Sequence, residues 1–375
     1  MKNRKNLLFI SSHLPSLKVP QAGQKIAYSA LKEYSREFTV YLVSFYNEIE
    51  QGFLNSGELD FCEEVHLFKV SRRERLLGVL ANPLLPVRVA ARESGKVHAL
   101  LARLVGEVDF EGVHFEFTSA AAYLGDVPKQ ARKIITEHDV TYQSLERRYR
   151  LGGLFGIWYR FEHLRQKRWE LRMLSEMDEI VILNDKDRSL LVSDGIAPSR
   201  LRILAPQVDQ LFKDISRESL EEYSILFWGA MNRQENIDAV KWFVKSIFPF
   251  VLSEVPNAKF YVVGVDPPAE ISNLSSSNII VTGFVENPAK YFETCRIAVA
   301  PLRMGAGIKV KVLEYLAAGI PVVSTSVGAE GIDDERLIIV DDSEYFAKAV
   351  TGIITAGQEG DSTKNSMTAC TKECI

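Results

Sequence analysis

Short runs of β-branched and apolar residues alternate along the chain with longer segments whose apolar positions recur at steps of three and four. A parallel strand is buried on both faces and reads as a continuous apolar run, whereas its crossover helix carries one apolar stripe, so this alternation predicts βαβ units and a mostly parallel sheet. The pattern occurs twice. In the first half the predicted strands are 6–12, 37–44, 64–70, 112–117, 131–137 and 179–183; in the second they are 224–228, 258–263, 278–282, 296–300, 321–325 and 337–340. Between the first two strands of the second half, Ile237, Val240, Val244, Ile247 and Val251 mark one face of a helix. Segment 205–221 fits neither period and reads as a linker, and 356–375 is polar and aperiodic. The expected organisation is α/β: two doubly wound Rossmann-like domains, 1–205 and 206–355, followed by a disordered polar tail, 356–375.

Composition changes this picture little. The 375 residues are 46% hydrophobic and 25% charged, ordinary for globular domains. The longest apolar stretch, 76–85, contains Pro83 and is far shorter than the roughly 20 residues of a membrane helix. The apolar run 7–10 after the basic start is too short for a signal-peptide core, so the expected location is cytoplasmic. Cys62, Cys295, Cys370 and Cys374 have neither zinc-site nor disulfide-framework spacing. Charge is more informative. Residues 1–205 hold 30 basic and 26 acidic side chains, net +4, while the remainder holds 15 and 23, net −8, an asymmetry that points the first half toward an anionic partner: a lipid surface, a phosphorylated acceptor or nucleic acid. Much of the positive charge lies in 69–103 and 146–172, where arginines are interleaved with Leu154, Phe155, Ile157, Trp158, Tyr159 and Phe161. A solvated helix face explains such segments; the clustered aromatics favour an interfacial patch for anionic lipid and a lipid-linked acceptor. No nucleic-acid motif accompanies the charge.

The richest chemistry lies in 300–330, APLRMGAGIKVKVLEYLAAGIPVVSTSVGAE, where a buried strand enters a Gly-rich loop and then a helix. Gly305 and Gly307 let backbone amides approach a ligand, the helix start favours an anion, and Arg303, Lys309 and Lys311 add charge. Glu314, on the same helix, has the chemistry to accept hydrogen bonds from ribose hydroxyls. Together these describe a nucleoside diphosphate; the bland reading is a turn and a solvated glutamate. Gly229, Gly264, Gly283 and Gly328 favour the ligand, because they recur at the carboxyl ends of strands, where open α/β sheets bind. GAGIKV lacks the third glycine of a dinucleotide fingerprint. In the first half, His138 follows a buried strand, and Gly23 is expected to open a helix whose amide reaches a phosphate, or simply to turn the chain. Asp185-Lys186-Asp187 spells DxD, but helix capping explains it, and the six histidines have no ligand spacing; no metal is expected.

These segments resemble the family 4 (group 1) retaining glycosyltransferases of the GT-B fold. The match covers most of the chain: ILFWGAMNRQENIDAVKWF, FYVVG, IIVTGFV, PLRMGAGIKVKVLEYLAAGIPVVST and GAEG in the second half, with the Gly23 loop, HDV at 138–140 and PQVDQLF before it. The resemblance implies an acceptor domain and a nucleotide-sugar donor domain facing each other across a cleft. It puts Glu314 on the ribose, the amides of Gly305, Ala306, Gly307 and Ile308 on the diphosphate, Gly283, Phe284 and Val285 against the base, Gly229 and Gly264 beside the donor, and His138 toward the donor sugar. Two departures bear on catalysis: Ala306 stands where the family often has a glutamate, and Ala230 and Glu235 where it often has an Arg and a Lys; Arg303, Lys309, Lys311 or Arg233 replace that charge. The implied function is transfer of a sugar from a nucleoside-diphosphate sugar to a polysaccharide, lipid-linked or other hydroxyl acceptor, with retention and without metal or cofactor, at the inner face of a membrane. The alternatives are an inactive subunit that binds nucleotide or a partner protein, and a sugar-nucleotide epimerase or hydrolase.

Overall fold

The computed structural model describes residues 4–19, 21–48, 50–54, 57–150, 156–204, 208–305 and 307–356; Ala306, Leu154, Phe155 and nearly all of the polar tail lie outside the described residues. The chain divides into two compact units, Met1–Pro206 and Gln207–Ile375. In the first, β1 (Lys5–Ser11), β2 (Phe38–Tyr46), β3 (Glu64–Lys69), β4 (Phe110–Glu116), β5 (Arg132–Glu137), β6 (Glu179–Ile182) and β7 (Leu201–Ile203) form a sheet of order β3-β2-β1-β4-β5-β6-β7. In the second, β8 (Glu221–Trp228), β9 (Lys259–Val263), β10 (Ile279–Gly283), β11 (Cys295–Ala300), β12 (Val322–Ser324) and β13 (Leu337–Ile339) are ordered β10-β9-β8-β11-β12-β13. Every pairing is parallel, and each sheet is flanked by helices.

All twelve predicted strands form. The unpredicted one, β7, is a three-residue edge strand whose Arg202 faces solvent and pairs with Glu179, so it lacks the apolar run that betrays a buried strand. The expected linker needs correction. Within it Asp209 caps a short helix, Gln210–Lys213, whose Phe212 is buried against Phe292. The Arg217 guanidinium then donates to the carbonyls of Cys295, Arg296 and Gly319. Residues 208–221 are thus packed into the second unit.

The predicted helical face exists, with Ile237, Val240, Ile247 and Val251 buried in the core. Its helix runs as Gln234–Trp242, a π turn at Phe243–Ile247, and Phe248–Glu254. Pro249 has no N–H to donate one turn back and its ring would clash there; the wider π turn just before it relieves that clash.

In both sheets the strand order reverses at the centre, between β1 and β4 and between β8 and β11, and such switch points leave a crevice at the carboxyl ends. In the second unit this edge is built by backbone approach. Gly229 donates its amide to Val263 O at 3.0 Å and Gly264 to Gly283 O at 3.2 Å. A Cβ on Gly264 would lie 1.8 Å from Gly229 O. We therefore expect Gly264→Ala to destabilise the second unit by about 2–4 kcal/mol. Gly106→Ala, in the helix Gly95–Glu107 with open space around it, should stabilise the first by about 0.5–1 kcal/mol. Urea unfolding curves check both; wild-type midpoints for Gly264→Ala would show that the loops yield.

Candidate functional site

In the second unit the Gly-rich loop follows β11 and leads into the helix Val310–Ala317, with Lys309 as its N-cap residue. Gly305 and Gly307 have φ of 111° and 69°, values that a side chain would strain. Lys309 donates to the Gly307 carbonyl and lies 3.6 Å from the buried carboxylate of Glu330. Lys311 takes a different path: its ammonium passes over the Phe227 ring to Asn236 Oδ1 at 2.6 Å. A Cβ on Gly229 would meet that ammonium at 2.6 Å, so Gly229 makes room for the lysine. Burial pulls Lys311 down to about 7, against the opposing attraction of Glu235.

Glu314 accepts a hydrogen bond from the Trp228 indole at 3.0 Å, and the Tyr315 hydroxyl accepts from the Trp228 amide. The carboxylate is thereby fixed at the carboxyl end of β8. Gly283 turns the chain at φ 70° and leaves Phe284 an exposed aromatic, while Val285 packs on the domain core. Arg303 is directed elsewhere. Its guanidinium grips both oxygens of Asp238, at 3.1 and 2.6 Å, and covers Trp242, which ties it to the neighbouring helix. The structure thus gathers Gly229, Lys311, Glu314, Gly305, Gly307 and Lys309 around the β8 and β11 termini and engages Arg303 with Asp238. Sequence reasoning missed Asn236, Trp228 and Glu330. Glu330 lay within the quoted GAEG, but nothing local marked it as the partner of Lys309.

In the first unit Gly23 is the second residue of the helix Ala22–Glu37, so its amide has no acceptor within the helix. A Cβ there would lie 3.1 Å from the Phe117 ring and 3.4 Å from His138 Nδ1. The fold therefore joins two residues singled out from distant segments. His138 stacks on Phe117 at 4.1 Å, and its Nε2 is 2.6 Å from Glu116 Oε1. The other Glu116 oxygen meets His114 at 2.8 Å. Burial alone would raise the Glu116 carboxyl, but the two imidazole hydrogen bonds prevail and hold it at about 2. Phe117 has φ 70°, a conformation costing an aromatic residue about 1–3 kcal/mol and most often found at functional sites.

Asp139 lines a cavity of about 320 Å³ that the Phe117 ring also borders, together with Arg75, Arg88, Arg92, Ser119 and Gln166. Behind it are the buried carboxyls of Glu137 and Glu170. Burial, reinforced by neighbouring carboxylates, raises Glu137 well above its usual value. Burial, with Asp139 adding to it, lifts Glu170 to about 8 against hydrogen bonds from Gln166 and the Thr141 amide. Asp185 and Asp187 stand in the first turn of the helix Asp185–Ser193, capped by Asn184; among the described residues no cluster has the make-up of a metal site.

The two basic segments converge. Arg165 donates to the carbonyls of Pro83 and Leu85, and Glu162 accepts the Val87 amide. This ties the helix Gly156–Ser175 to the segment that follows the helix Arg72–Ala81, and residues of both helices line one groove. Leu76, Leu80, Leu84, Ile157, Trp158 and Phe161 are exposed on the joint surface, around a groove of about 280 Å³.

Glu170 supplies a prediction. A carboxyl raised in the folded state costs stability increasingly as pH climbs from its ordinary 4.5 toward about 8. Glu170→Gln removes that cost, and the neighbouring Gln166 Oε1, which makes no hydrogen bond among the described residues, can turn to accept the new amide. The variant should gain about 2–4 °C in melting temperature at pH 8 and almost nothing at pH 5. Equal gains at both pH values would refute a titrating Glu170.

Residues 222–356 match the family of glycosyl transferases group 1. An uncharacterised 44.6 kDa protein from the cps region of Klebsiella pneumoniae is 27% identical over 207 residues, and the match spans 52% of each chain, so about half the length of that relative. The whole chain is similar in structure to HepE of Anabaena, solved with UDP (TM-score 0.59, 10% identity, 98% of this chain and 95% of that one). It is likewise similar to sucrose-phosphate synthase of Thermosynechococcus elongatus (0.64, 13%, 95% and 90%) and to a glycosyltransferase of Rickettsia africae (0.61, 14%, 98% and 92%). The two parallel-sheet units have the GT-B fold of these structures, and it is residues 222–356 of the second unit that match the glycosyl transferases of group 1.

Proposed function

We propose that the chain transfers a sugar from a nucleoside-diphosphate sugar to a hydroxyl acceptor, with retention of configuration and without a metal. The observation that carries this reading is the grouping at the β8 and β11 termini: a glycine-turned loop, two lysines, and a glutamate held at fixed orientation by Trp228. HepE structures holding UDP and UDP-glucose add support. In this reading Glu314 accepts the ribose hydroxyls, Phe284 and Val285 flank the base, and Gly305, Ala306, Gly307 and Ile308 cradle the diphosphate. Gly23 and His138 are the first unit's candidates for the leaving phosphate and the donor sugar. As the sugar–phosphate bond loosens, negative charge grows on the diphosphate, where Lys309 and the loop amides stabilise it. The acceptor hydroxyl attacks from the same face and passes its proton to the leaving phosphate, since no side chain stands out as a nucleophile. The inactive-subunit reading is favoured by one observation, that Asp238 already occupies Arg303.

Binding decides between reading and chance. Glu314→Ala should weaken nucleoside-diphosphate affinity by about 1.5–3 kcal/mol while leaving the fold intact; calorimetry with UDP and its analogues measures it, and unchanged affinity for a nucleotide that binds would remove Glu314 from the site. A second outcome follows from Lys311. Free, it is half neutral near pH 7; a diphosphate beside it favours the charged form and raises that value. Nucleotide binding at pH 8 should therefore take up protons, seen as a dependence of binding heat on buffer ionisation enthalpy, and Lys311→Met should abolish the uptake.

We further propose that the surface shared by the helices Arg72–Ala81 and Gly156–Ser175 rests on an anionic membrane and brings the enzyme to a lipid-linked acceptor. Exposed leucines and aromatics beside arginines fit the headgroup boundary, and among the described residues no helix is long and apolar enough to cross a membrane. The chain should sediment with anionic vesicles, less so as salt rises, and Leu80→Ser with Trp158→Ser should reduce this severalfold. Equal sedimentation of wild type and variant would exclude the surface.

A further inference from the structure

The cavity beside Asp139 borders the Phe117 ring on which His138 stacks, and its charge is arranged as though something were to fill it. Arg75 comes from the helix Arg72–Ala81, Arg88 from the short helix Val87–Ala90, and Arg92 from the turn that follows. The three guanidinium groups line one space at the carboxyl-terminal end of the sheet, where Ser119 follows β4 and Asp139 follows β5. Among the described residues neither Arg75 nor Arg88 makes a salt bridge. Arg92 approaches His13 Nε2 at 3.5 Å and lies over the Phe45 ring. Burial pulls it down to about 10, the charge of Arg75 pulls in the same direction, and Glu50 partly offsets them. Crowding like charges around a partly buried guanidinium is costly, and an anion in the cavity would relieve that cost.

The remaining lining sets hydroxyl, amide and carboxylate groups beside His13, Phe117, Val89 and Ala91, a mixture that suits a sugar ring. Ser119 donates to Ser12, Thr118 to Glu137, and Asp139 brings the one carboxylate, which repels a phosphate but accepts sugar hydroxyls. About 320 Å³ is at the small end of ligand sites and suits one sugar ring with its phosphate better than a polymer chain. The same short helix also joins two environments: Val87 lines the apolar groove, whereas Arg88 and Val89 line the cavity.

We propose that this cavity is a phosphate site for a phosphorylated sugar acceptor, with Arg75, Arg88 and Arg92 on the phosphate and Asp139 on the sugar. The identification of the ligand as acceptor rests on the transferase reading; the anion site itself does not. Guanidinium groups bind phosphate oxygens in paired, charge-assisted hydrogen bonds, and three of them match the charge of a diphosphate better than that of a carboxylate.

The test is calorimetric titration of the full chain with inorganic pyrophosphate, after saturation with UDP so that the second unit's loop is occupied. Arg75→Gln/Arg88→Gln is compared with Arg72→Gln/Arg73→Gln, which removes equal charge from exposed positions outside the cavity. The wild type should bind pyrophosphate; the cavity variant should lose affinity about tenfold or more while retaining UDP affinity, and the control should keep both. No binding by the wild type, equal loss in the control, or a parallel loss of UDP affinity in the cavity variant would each overturn the proposal. If UDP itself does not bind, that strikes the transferase reading, and the arginine dependence is then read on the free chain. Vesicles containing phosphatidic acid separate the sources of the phosphate. Sedimentation lost in the cavity variant alone identifies a lipid-borne phosphate, and pyrophosphate binding without it identifies a soluble sugar phosphate.

Discussion

Reversal of the strand order at the middle of each sheet governs the chemistry of this protein. Because the chain winds away to opposite sides from β1 and β4, and again from β8 and β11, no crossover helix caps those strand ends. Every polar group that emerges there must be satisfied by neighbouring loops or by a ligand. In the second unit the loops close on one another with glycine, to the point that Gly264 and Gly229 leave no space for a methyl group. In the first unit the gap is filled by side chains, Phe117 stacking on His138 and Glu116 bridging two imidazoles.

Charges at these edges are paired before any ligand arrives. Lys309 faces Glu330, Lys311 rests on Asn236, and Arg303 holds Asp238. A lysine whose position is fixed by a buried partner loses little freedom when a phosphate appears, and stabilisation of a developing charge depends on such prior placement. Pairing also costs affinity, because the partner competes with the ligand. The neutral amide of Asn236 competes less than a carboxylate, which distinguishes Lys311 from Arg303.

What could be read in advance follows from which interactions are local. Strands buried on both faces appear as apolar runs, and twelve of thirteen were legible; β7 escaped because an edge strand of three residues with an arginine at its centre has no such run. The π turn before Pro249 was illegible, since the apolar face keeps its spacing through it. At the site, glycine spacing and the lysines of the loop were visible because they lie within a few residues of one another. The partners of those lysines were not. Asn236 and Glu330 reach them across the fold, from 75 and 21 positions away, and no periodicity encodes that. The arginine cavity was hidden for the same reason: one arginine-rich segment suggested only a surface until strands β4 and β5 were set beside it.

The buried carboxyls of the first unit bear on a property far from catalysis. Composition assigns residues 1–205 a net charge of +4 by counting every carboxyl as ionised. Glu170 keeps its proton at neutral pH, and Glu137 is pushed the same way. The first unit is therefore more cationic, and its isoelectric point higher, than the formula states, while Lys311, half neutral at pH 7, makes the second more anionic. The two units differ more in charge than their residue counts imply, and the protein's ion-exchange behaviour will reflect the folded titration state.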